Sequence, residues 1–548
     1  MQRMLDFAVD GEVPALLVDR SRDPVMTDEE EIVRRDVVGQ KVERRLGVRG
    51  VAVELQKAPA RLRSKGGRER AGYCGGSGGE RQEAAAIDPV SFDGRTLSNA
   101  MRYCHTAQAA RRQDWAMVSR MTGAAASSPK AKRESFARRF LSALGPGLIT
   151  GAADDDPSGI ATYSIAGAQL GTSLLWTAYF TWPLMASVQM MCARIGMVTG
   201  RGLAGSLRKK LPRPVLIVLS VALLLANTLN IGADLSGMAD AVEMLTHVNS
   251  HVFVILFGVG ITLATIFLRY HQIASTLKWL ALTLLAYAIV AFLCRPSWGQ
   301  VLREAFLPSL PKGTQAWATF VAILGTTISP YLFFWQASQE VEEEKAMGRR
   351  MLKSRLGATS REIGDRELDV GFGTFASNIV MFFIILATAL TLHAHGITHI
   401  DTSRQAAEAL APLAGKAASL IFTLGIFGVG CLAIPTLAGS SAYAFAETFH
   451  WRQGMDQKLA RARGFYAIVI GSAVAGIVMD FANVNPFSAL FLTAVVNGLL
   501  APVLLVGILM VASDKALMQG QPSSTFSRAV VFVTLLLMVG AAVGMFVF

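Results

Sequence analysis

Three consecutive aspartates stand inside an apolar stretch, directly before a proline. Asp154, Asp155 and Asp156 precede Pro157, and the residues around them are mostly Gly, Ala, Ile and Leu. A carboxylate at the centre of a membrane helix costs about 2.5 to 3.5 kcal/mol, so three in succession need a compensating partner. Carboxylate oxygens are hard ligands that suit Mg²⁺, Ca²⁺ and Mn²⁺. The triplet therefore predicts a cation site, unless it lies at one mouth of the membrane and is merely solvated.

A second apolar stretch is interrupted in a similar way. Its middle holds a run rich in small and hydroxyl-bearing residues that ends in proline, namely Gly325, Thr326, Thr327, Ile328, Ser329 and Pro330. Proline has no backbone N–H and blocks the preceding helical turn, so both helices should break near the membrane centre. Carbonyl groups freed there need a partner helix, water or a bound ion.

The elements that carry these two sites are long apolar stretches. A bilayer core requires about 20 mostly apolar residues in each helix. Eleven stretches reach that length: 138–169, 172–198, 214–236, 251–269, 275–294, 316–338, 370–394, 415–447, 462–480, 486–512 and 527–547. The interrupted stretches are the first and the sixth, which are corresponding positions in two five-helix halves. This pattern is typical of an all-α transporter built from inverted repeats, with its site at the breaks.

The composition divides the chain into two unlike parts. The whole chain is 52% hydrophobic and 17% charged over 548 residues, which favours a membrane protein. Residues 1–134 are rich in Arg, Glu, Gly and Ala and contain no apolar run of membrane length, whereas apolar runs fill residues 135–548. We expect 1–134 to be a disordered or spurious extension, the latter if translation starts further downstream, and 135–548 to be the transmembrane domain.

The distribution of charge predicts orientation. The net charge is +12, and the basic residues gather in short loops between apolar stretches. Under the positive-inside rule, this distribution predicts a cytoplasmic N-terminus in a multi-pass protein of the bacterial cytoplasmic (inner) membrane, with no role in nucleic-acid binding. The five cysteines lie far apart without CxxC spacing, which argues against a disulfide framework and a thiolate metal site.

The sequence around the triplet resembles the first helix of the Nramp (natural resistance-associated macrophage protein) family of proton-coupled divalent metal transporters. It reads GPGLITGAADDDPSGIATYSIAGAQLGTSLLW, where the family carries GPG, then DPGN, then a stretch like ATDLQAGAQFGYSLLW. ARIGMVTGRGLA and LGTTISPYLFFWQASQE extend the resemblance, which covers most of residues 143–512. The resemblance implies a LeuT-like fold of two inverted five-helix repeats, with helices 1 and 6 broken.

The resemblance also implies a set of metal ligands. Asp156 matches the family's metal-binding aspartate, while Gly159 stands at the position of its asparagine ligand and Ser158 at that of its glycine. In the sixth stretch, Thr326 takes the place of the residue that offers its backbone carbonyl. With Ser329 and the neighbouring carboxylate, the predicted metal site comprises Asp155, Asp156, Ser158, Gly159, Thr326 and Ser329.

The departures from the family pattern bear on selectivity. Ser329 and Pro330 align with the methionine and proline of the family's MPH motif, and Tyr331 takes the histidine position. A thioether favours softer transition metals, and a hydroxyl in its place removes that preference. The sequence therefore looks more like Nramp-related magnesium transporters, or an uncharacterised branch, and a cation of the Mg²⁺ or Mn²⁺ class is expected.

Five further polar residues are candidates for a proton path or for support of the site: Asn230, Asp234, Tyr331, Gln336 and Asn497. Asp234, one helical turn after Asn230, either relays protons or forms a structural hydrogen bond between helices. Gln336 stands where the family has a second histidine of the sixth helix. Asn497 either faces the site or bonds a neighbouring helix, and the family's glutamine position reads Ala494.

These patterns predict a secondary transporter that moves a divalent cation by alternating access, with proton coupling left open. Its partners are the divalent ion, membrane lipid and, if coupled, protons, and no cofactor is expected besides the transported ion. The alternative is an amino-acid or organic-solute symporter of the same fold, for which three aspartates are badly placed beside a substrate carboxylate. An enzyme is not expected, since the apolar stretches contain neither HExxH nor GxSxG.

Overall fold

The structure of the chain is a computed structural model that describes residue 151 and residues 153–268, 282–482 and 485–547. The predicted extension 1–134 and the beginning of the stretch 138–169 lie outside the described residues. The first eight helices are α1 (Pro157–Leu170), α2 (Trp176–Thr199), α3 (Leu203–Leu207), α4 (Arg213–Thr246), α5 (Ser250–Phe267), α6 (Leu285–Leu293), α7 (Trp298–Phe306) and α8 (Thr314–Thr327). They are followed by α9 (Pro330–Ala346), α10 (Ser360–Thr391), α11 (Ser403–Glu408), α12 (Ala411–Ala414), α13 (Ala418–Phe449), α14 (Arg463–Asp480), α15 (Pro486–Ser513) and α16 (Thr525–Val547).

All regular structure in the described part of the chain is helical. Each of the eleven predicted stretches contains helix where it is described, and eight helical segments are long and apolar enough to cross a membrane. One of these eight is the pair α8 and α9, which spans Thr314–Ala346 across a break. The predicted all-helical membrane fold is confirmed, while the number of eleven crossing helices stays a prediction.

Three helices begin at a proline, two of them at the breaks. The first turns of α1, α9 and α15 contain Pro157, Pro330 and Pro486, respectively. This position tolerates proline because the first N–H groups of a helix have no intrahelical partner. The caps of α1 and α15 are the side chains of Asp156 and Asn485, which accept hydrogen bonds from backbone N–H groups of the first turn. Short-range sequence chemistry thus fixes where these helices start.

The helices that carry the breaks lie inside the bundle. α1 packs against α10, α15 and α8, and α4 packs against α13, α14 and α15. Small residues permit the close approach: a Cβ at Gly325 would overlap the α15 backbone at Gly498, and one at Gly167 would overlap the carbonyl of Ile385 on α10. The outer helices α5, α14 and α16 instead expose apolar side chains, as expected of surfaces that face lipid.

Candidate functional site

The first break lies at the aspartate triplet. Asp154 is helical, Asp155 and Asp156 are not, and α1 begins at Pro157. The backbone of Asp156 is extended, with φ −67° and ψ 169°. All three aspartates are buried, being 0%, 5% and 1% exposed. The alternative in which the triplet is solvated at a membrane mouth is therefore wrong.

The carboxylate of Asp156 is held by donors from its own loop and from α4. Its Oδ1 accepts hydrogen bonds from the Gly159 N–H at 2.7 Å and from the Ser158 hydroxyl at 2.6 Å. Its Oδ2 accepts from the Asn230 amide at 3.0 Å. A negative charge is favoured at a helix N-terminus, where backbone N–H groups and the helix dipole point toward it. One oxygen thus serves as a cap, and the other faces the interior of the bundle.

Helix α4 brings two polar residues to Asp156. Asn230 and Asp234 are four residues apart, so their side chains lie on the same face of the helix. Both are fully buried. Neither carboxylate oxygen of Asp234 has a well-formed hydrogen bond among the described residues, although the Ser158 amide and Asp156 lie close to it. A buried carboxylate in this setting is stabilised by a cation or by a proton.

The second break separates α8 from α9. Ile328 leaves the helical conformation with φ −112° and ψ 60°, and Ser329 is extended, with φ −76° and ψ 129°. The Ser329 hydroxyl lies 2.9 Å from the Gly325 carbonyl and 2.6 Å from the Thr326 carbonyl. A carbonyl oxygen has two lone pairs, so this contact leaves the Thr326 carbonyl able to accept a ligand. Both predicted helix breaks are therefore present.

Tyr331 joins the two breaks. Its hydroxyl donates to the Ala153 carbonyl at 3.0 Å and lies 3.5 Å from Oδ2 of Asp156. The side chain is fully buried. The start of α9 is thereby tied to the residues just before α1.

The surroundings of the breaks offer oxygen atoms. Several buried oxygens have no well-formed hydrogen bond to the described residues. They include Asn230 Oδ1, both carboxylate oxygens of Asp234, Thr326 Oγ1 and Asn497 Oδ1. Thr326 Oγ1 lies beside Gly159, where an added Cβ would approach it to 3.2 Å. Across the described part of the chain, no three His, Cys, Asp or Glu side chains are grouped closely enough to hold a metal ion. A metal ion at the breaks would therefore bind amide, hydroxyl and carbonyl oxygens in addition to carboxylates.

The first two aspartates point away from this site. The Ser377 hydroxyl on α10 lies 2.7 Å from Asp154 Oδ2 and 2.9 Å from Asp155 Oδ1. Asp156 has its partners on α1, α4 and α9 instead. The triplet thus divides, with two carboxylates directed toward α10 and one toward α4.

Gln336 belongs to another polar cluster. Its amide donates to Glu340 at 2.6 Å, and Arg366 of α10 binds the same carboxylate at 2.9 Å. Arg366 also pairs with Asp369 at 2.6 Å and with Glu343. A helix rises about 1.5 Å per residue, so the six residues from Pro330 place Gln336 about 9 Å further along α9. Its predicted role in a proton path stays a prediction.

The structure brings several predicted residues together around one point. Asp156, Ser158, Gly159, Asn230 and Tyr331 are in direct contact, with Asp234 beside them. Whether Ser329, Thr326 and Asn497 bind an ion stays a prediction. The sequence analysis missed Ser377, and the signal that could have found it was a hydroxyl-bearing residue inside the apolar stretch 370–394.

Comparisons with known proteins identify relatives along most of the chain. A divalent metal cation transporter MntH of Aeromonas hydrophila is 25% identical over 420 residues, which covers 74% of this chain and 95% of the relative. A protein of the same name from Caldanaerobacter subterraneus is 25% identical over 389 residues, covering 70% and 87%. The solved structure of an Eremococcus coleocola manganese transporter aligns with a TM-score of 0.57 at 18% identity, covering 75% of this chain and 87% of that one.

The structural alignment supports the predicted LeuT-like fold with broken helices. Residues 147–548 match the family model described as natural resistance-associated macrophage protein-like, or Nramp. The matched range spans both helix breaks and the positions of the predicted metal site. This chain is therefore an integral, multi-pass membrane protein that belongs to the Nramp family.

Proposed function

We propose that the protein is a secondary transporter that carries a divalent metal cation across the membrane by alternating access. Membership of the Nramp family supports this proposal, as do the two relatives whose names describe divalent metal cation transporters. The observation that carries it is the position of Asp156. This buried carboxylate caps a broken membrane helix and faces Asn230 and Asp234, which have several oxygens without hydrogen bonds to the described residues.

The mechanism follows from what these side chains can do. Asp156 supplies a charged oxygen, and Asp234 adds a second negative charge from α4. Asn230 orients the Asp156 carboxylate through its amide, and its own oxygen, which no described residue binds, can accept the ion. Tyr331 links the two broken helices, so a change in the ion's ligands at Asp156 reaches α9. Alternating access then opens the site to one side of the membrane at a time.

The ligand chemistry favours the Mg²⁺ and Mn²⁺ class. The buried polar groups around the breaks are carboxylate, amide, hydroxyl and carbonyl oxygens, which are hard ligands. Ser329, which aligns with the family's methionine, presents its hydroxyl to two backbone carbonyls. Softer metals therefore gain no thioether from this position. An amino acid or other anionic solute is disfavoured, since the buried carboxylates repel its negative charge.

The proposal extends to location and coupling. We place the protein in the bacterial inner membrane, since its relatives come from bacteria, and we assign a cytoplasmic N-terminus on the basis of the basic loops. Asp234 is the group that we assign to proton coupling. It lies beside Asp156 and is buried without a well-formed hydrogen bond, so a proton and a metal ion compete for the same pair of carboxylates.

Uptake into proteoliposomes tests this function. Mg²⁺ and Mn²⁺ are supplied separately, each with and without a pH gradient, to the wild type and to Asp156→Ala. We expect both ions to enter with the wild type, neither with Asp156→Ala, and faster entry under an inward proton gradient. The matched control is Asp365→Asn, which alters a carboxylate paired with Arg361 in the first turns of α10 and should transport normally. Unchanged flux through Asp156→Ala refutes the site, and transport of Mn²⁺ with Mg²⁺ excluded refutes the selectivity argument.

A further inference from the structure

Asp154 and Asp155 compete for a single hydrogen. A serine hydroxyl carries one hydrogen and donates it to one acceptor at a time. Ser377 lies within 2.9 Å of oxygens from both carboxylates, so at any moment one of them faces a lone pair of the serine. The second oxygen of Asp154, Oδ1, is buried and has no hydrogen-bond partner among the described residues. Hydrogen bonding alone does not satisfy this pair.

Charge leads to the same conclusion. Four aspartates are buried around the first break, namely Asp154, Asp155, Asp156 and Asp234. The buried cationic side chains in the described part of the chain are Arg355 and Arg366. Arg355 binds the carbonyls of residues 200, 349 and 350, and Arg366 binds the carboxylates next to Gln336. One divalent ion at Asp156 and Asp234 balances two charges and leaves those of Asp154 and Asp155.

The geometry around Ser377 fits a metal ion. Metal–oxygen distances are about 2.1 Å for Mg²⁺ and about 2.3 to 2.6 Å for Ca²⁺, so one ion can bridge oxygens about 3 to 5 Å apart. Asp154 Oδ2 and Asp155 Oδ1 lie 2.7 and 2.9 Å from the same Ser377 oxygen, so they are no more than about 5.6 Å apart, and Asp154 Oδ1 and the serine oxygen are further possible ligands. All of these ligands are hard oxygens.

We propose that Asp154, Asp155 and Ser377 form a second binding site for a divalent cation, between the first break and α10. This site is distinct from the one at Asp156, whose partners lie on α1, α4 and α9. The proposal rests on the proposed transport function, since it adds a second ion to the same core. Because its ligands come from the residues just before α1 and from α10, the second ion links the first break to α10 while it is bound.

The number of ions bound to each chain tests the proposal. Equilibrium dialysis of the purified full-length protein against Mn²⁺ is expected to give two ions for the wild type. The double variant Asp154→Asn/Asp155→Asn should bind one ion. Ser377→Ala should weaken the second site by about tenfold, and Asp365→Asn should bind two ions like the wild type.

A second measurement separates this role from a structural one. In the absence of divalent ions, the double variant should melt at a higher temperature than the wild type, because the repulsion between the two carboxylates is removed. If the aspartates served only as hydrogen-bond acceptors for Ser377, the asparagine oxygens would accept in their place and the melting temperature would not rise. Added Mn²⁺ should raise the melting temperature of the wild type more than that of the double variant.

Two results overturn the proposal in distinguishable ways. If the wild type and the double variant each bind one ion, protons rather than a metal ion offset the charge of the pair, and the second site is refuted while the Asp156 site stands. If the wild type binds no Mn²⁺ at all, the proposed transport function fails, and the second site fails with it.

Discussion

Replacement of Asp156 by asparagine removes one negative charge and preserves the shape of the side chain. The amide oxygen can still accept from the Gly159 N–H and the Ser158 hydroxyl, as Oδ1 does in the wild type. The introduced NH₂ group then faces Asn230, whose own Oδ1 has no hydrogen-bond partner in the described part of the chain. A flip of the Asn230 side-chain amide turns its Oδ1 toward this NH₂ group and restores a hydrogen bond between the two side chains. We therefore expect Asp156→Asn to fold and to melt no lower than the wild type.

The loss of ion binding should be large. Two unit charges about 4 Å apart interact by about 4 kcal/mol at an effective dielectric constant of about 20, and a divalent ion doubles this to about 8 kcal/mol. The hydration that the ion and carboxylate give up offsets part of the attraction. A net loss of at least about 3 kcal/mol is expected, which weakens binding at least about a hundredfold.

Isothermal titration with Mn²⁺ measures this effect. The titration is performed on the background of Asp154→Asn/Asp155→Asn, so that a single site contributes heat. Asp365→Asn on the same background is the control for the loss of one carboxylate. An affinity within about threefold of the parent would show that Asp156 does not bind the ion. A fall in melting temperature together with lost binding would instead make Asp156 a structural cap.

Three further predictions concern stability, each measured as melting temperature. Gly325→Ala places a Cβ against the backbone of α15 and should destabilise by about 1–3 kcal/mol, whereas Gly260→Ala meets nothing within 4 Å and should not lower the melting temperature. Arg366→Met leaves buried carboxylates unpaired and should lower the free energy of unfolding by about 3–5 kcal/mol. A fall in melting temperature no larger than that of Gly325→Ala would contradict the ion pairing. The hydrogen bond and ion pair with Lys210 lower the pKa of Asp514 to about 2 from its ordinary value near 4. The pair therefore stabilises the fold above about pH 4, and this stabilisation is lost as the pH falls toward about 2. The difference between the wild type and Asp514→Asn should therefore be constant from about pH 5 to 8 and shrink below about pH 4, and a difference that grows on acidification would contradict it.

The sequence by itself determined the helical membrane fold and the places where two helices break. Apolar runs of membrane length allow little other than helices, since lipid leaves every backbone group to be paired internally. Pro157 and Pro330 fix the starts of α1 and α9, because a missing N–H and a blocked preceding turn are properties of the local chain. The role of Asp156 as a helix cap has the same local origin, in the three residues that follow it.

Only the tertiary structure decided which way the aspartates point. Asp154 and Asp155 meet Ser377, more than two hundred residues away along the chain, and Asp156 meets Asn230, 74 residues away. At a break the backbone leaves its helical repeat, so sequence spacing no longer predicts the direction of a side chain. That direction depends on which helices pack against the break, and helix packing is a property of the whole bundle. The division of one triplet between two sets of hydrogen-bond partners could therefore not be predicted from the sequence.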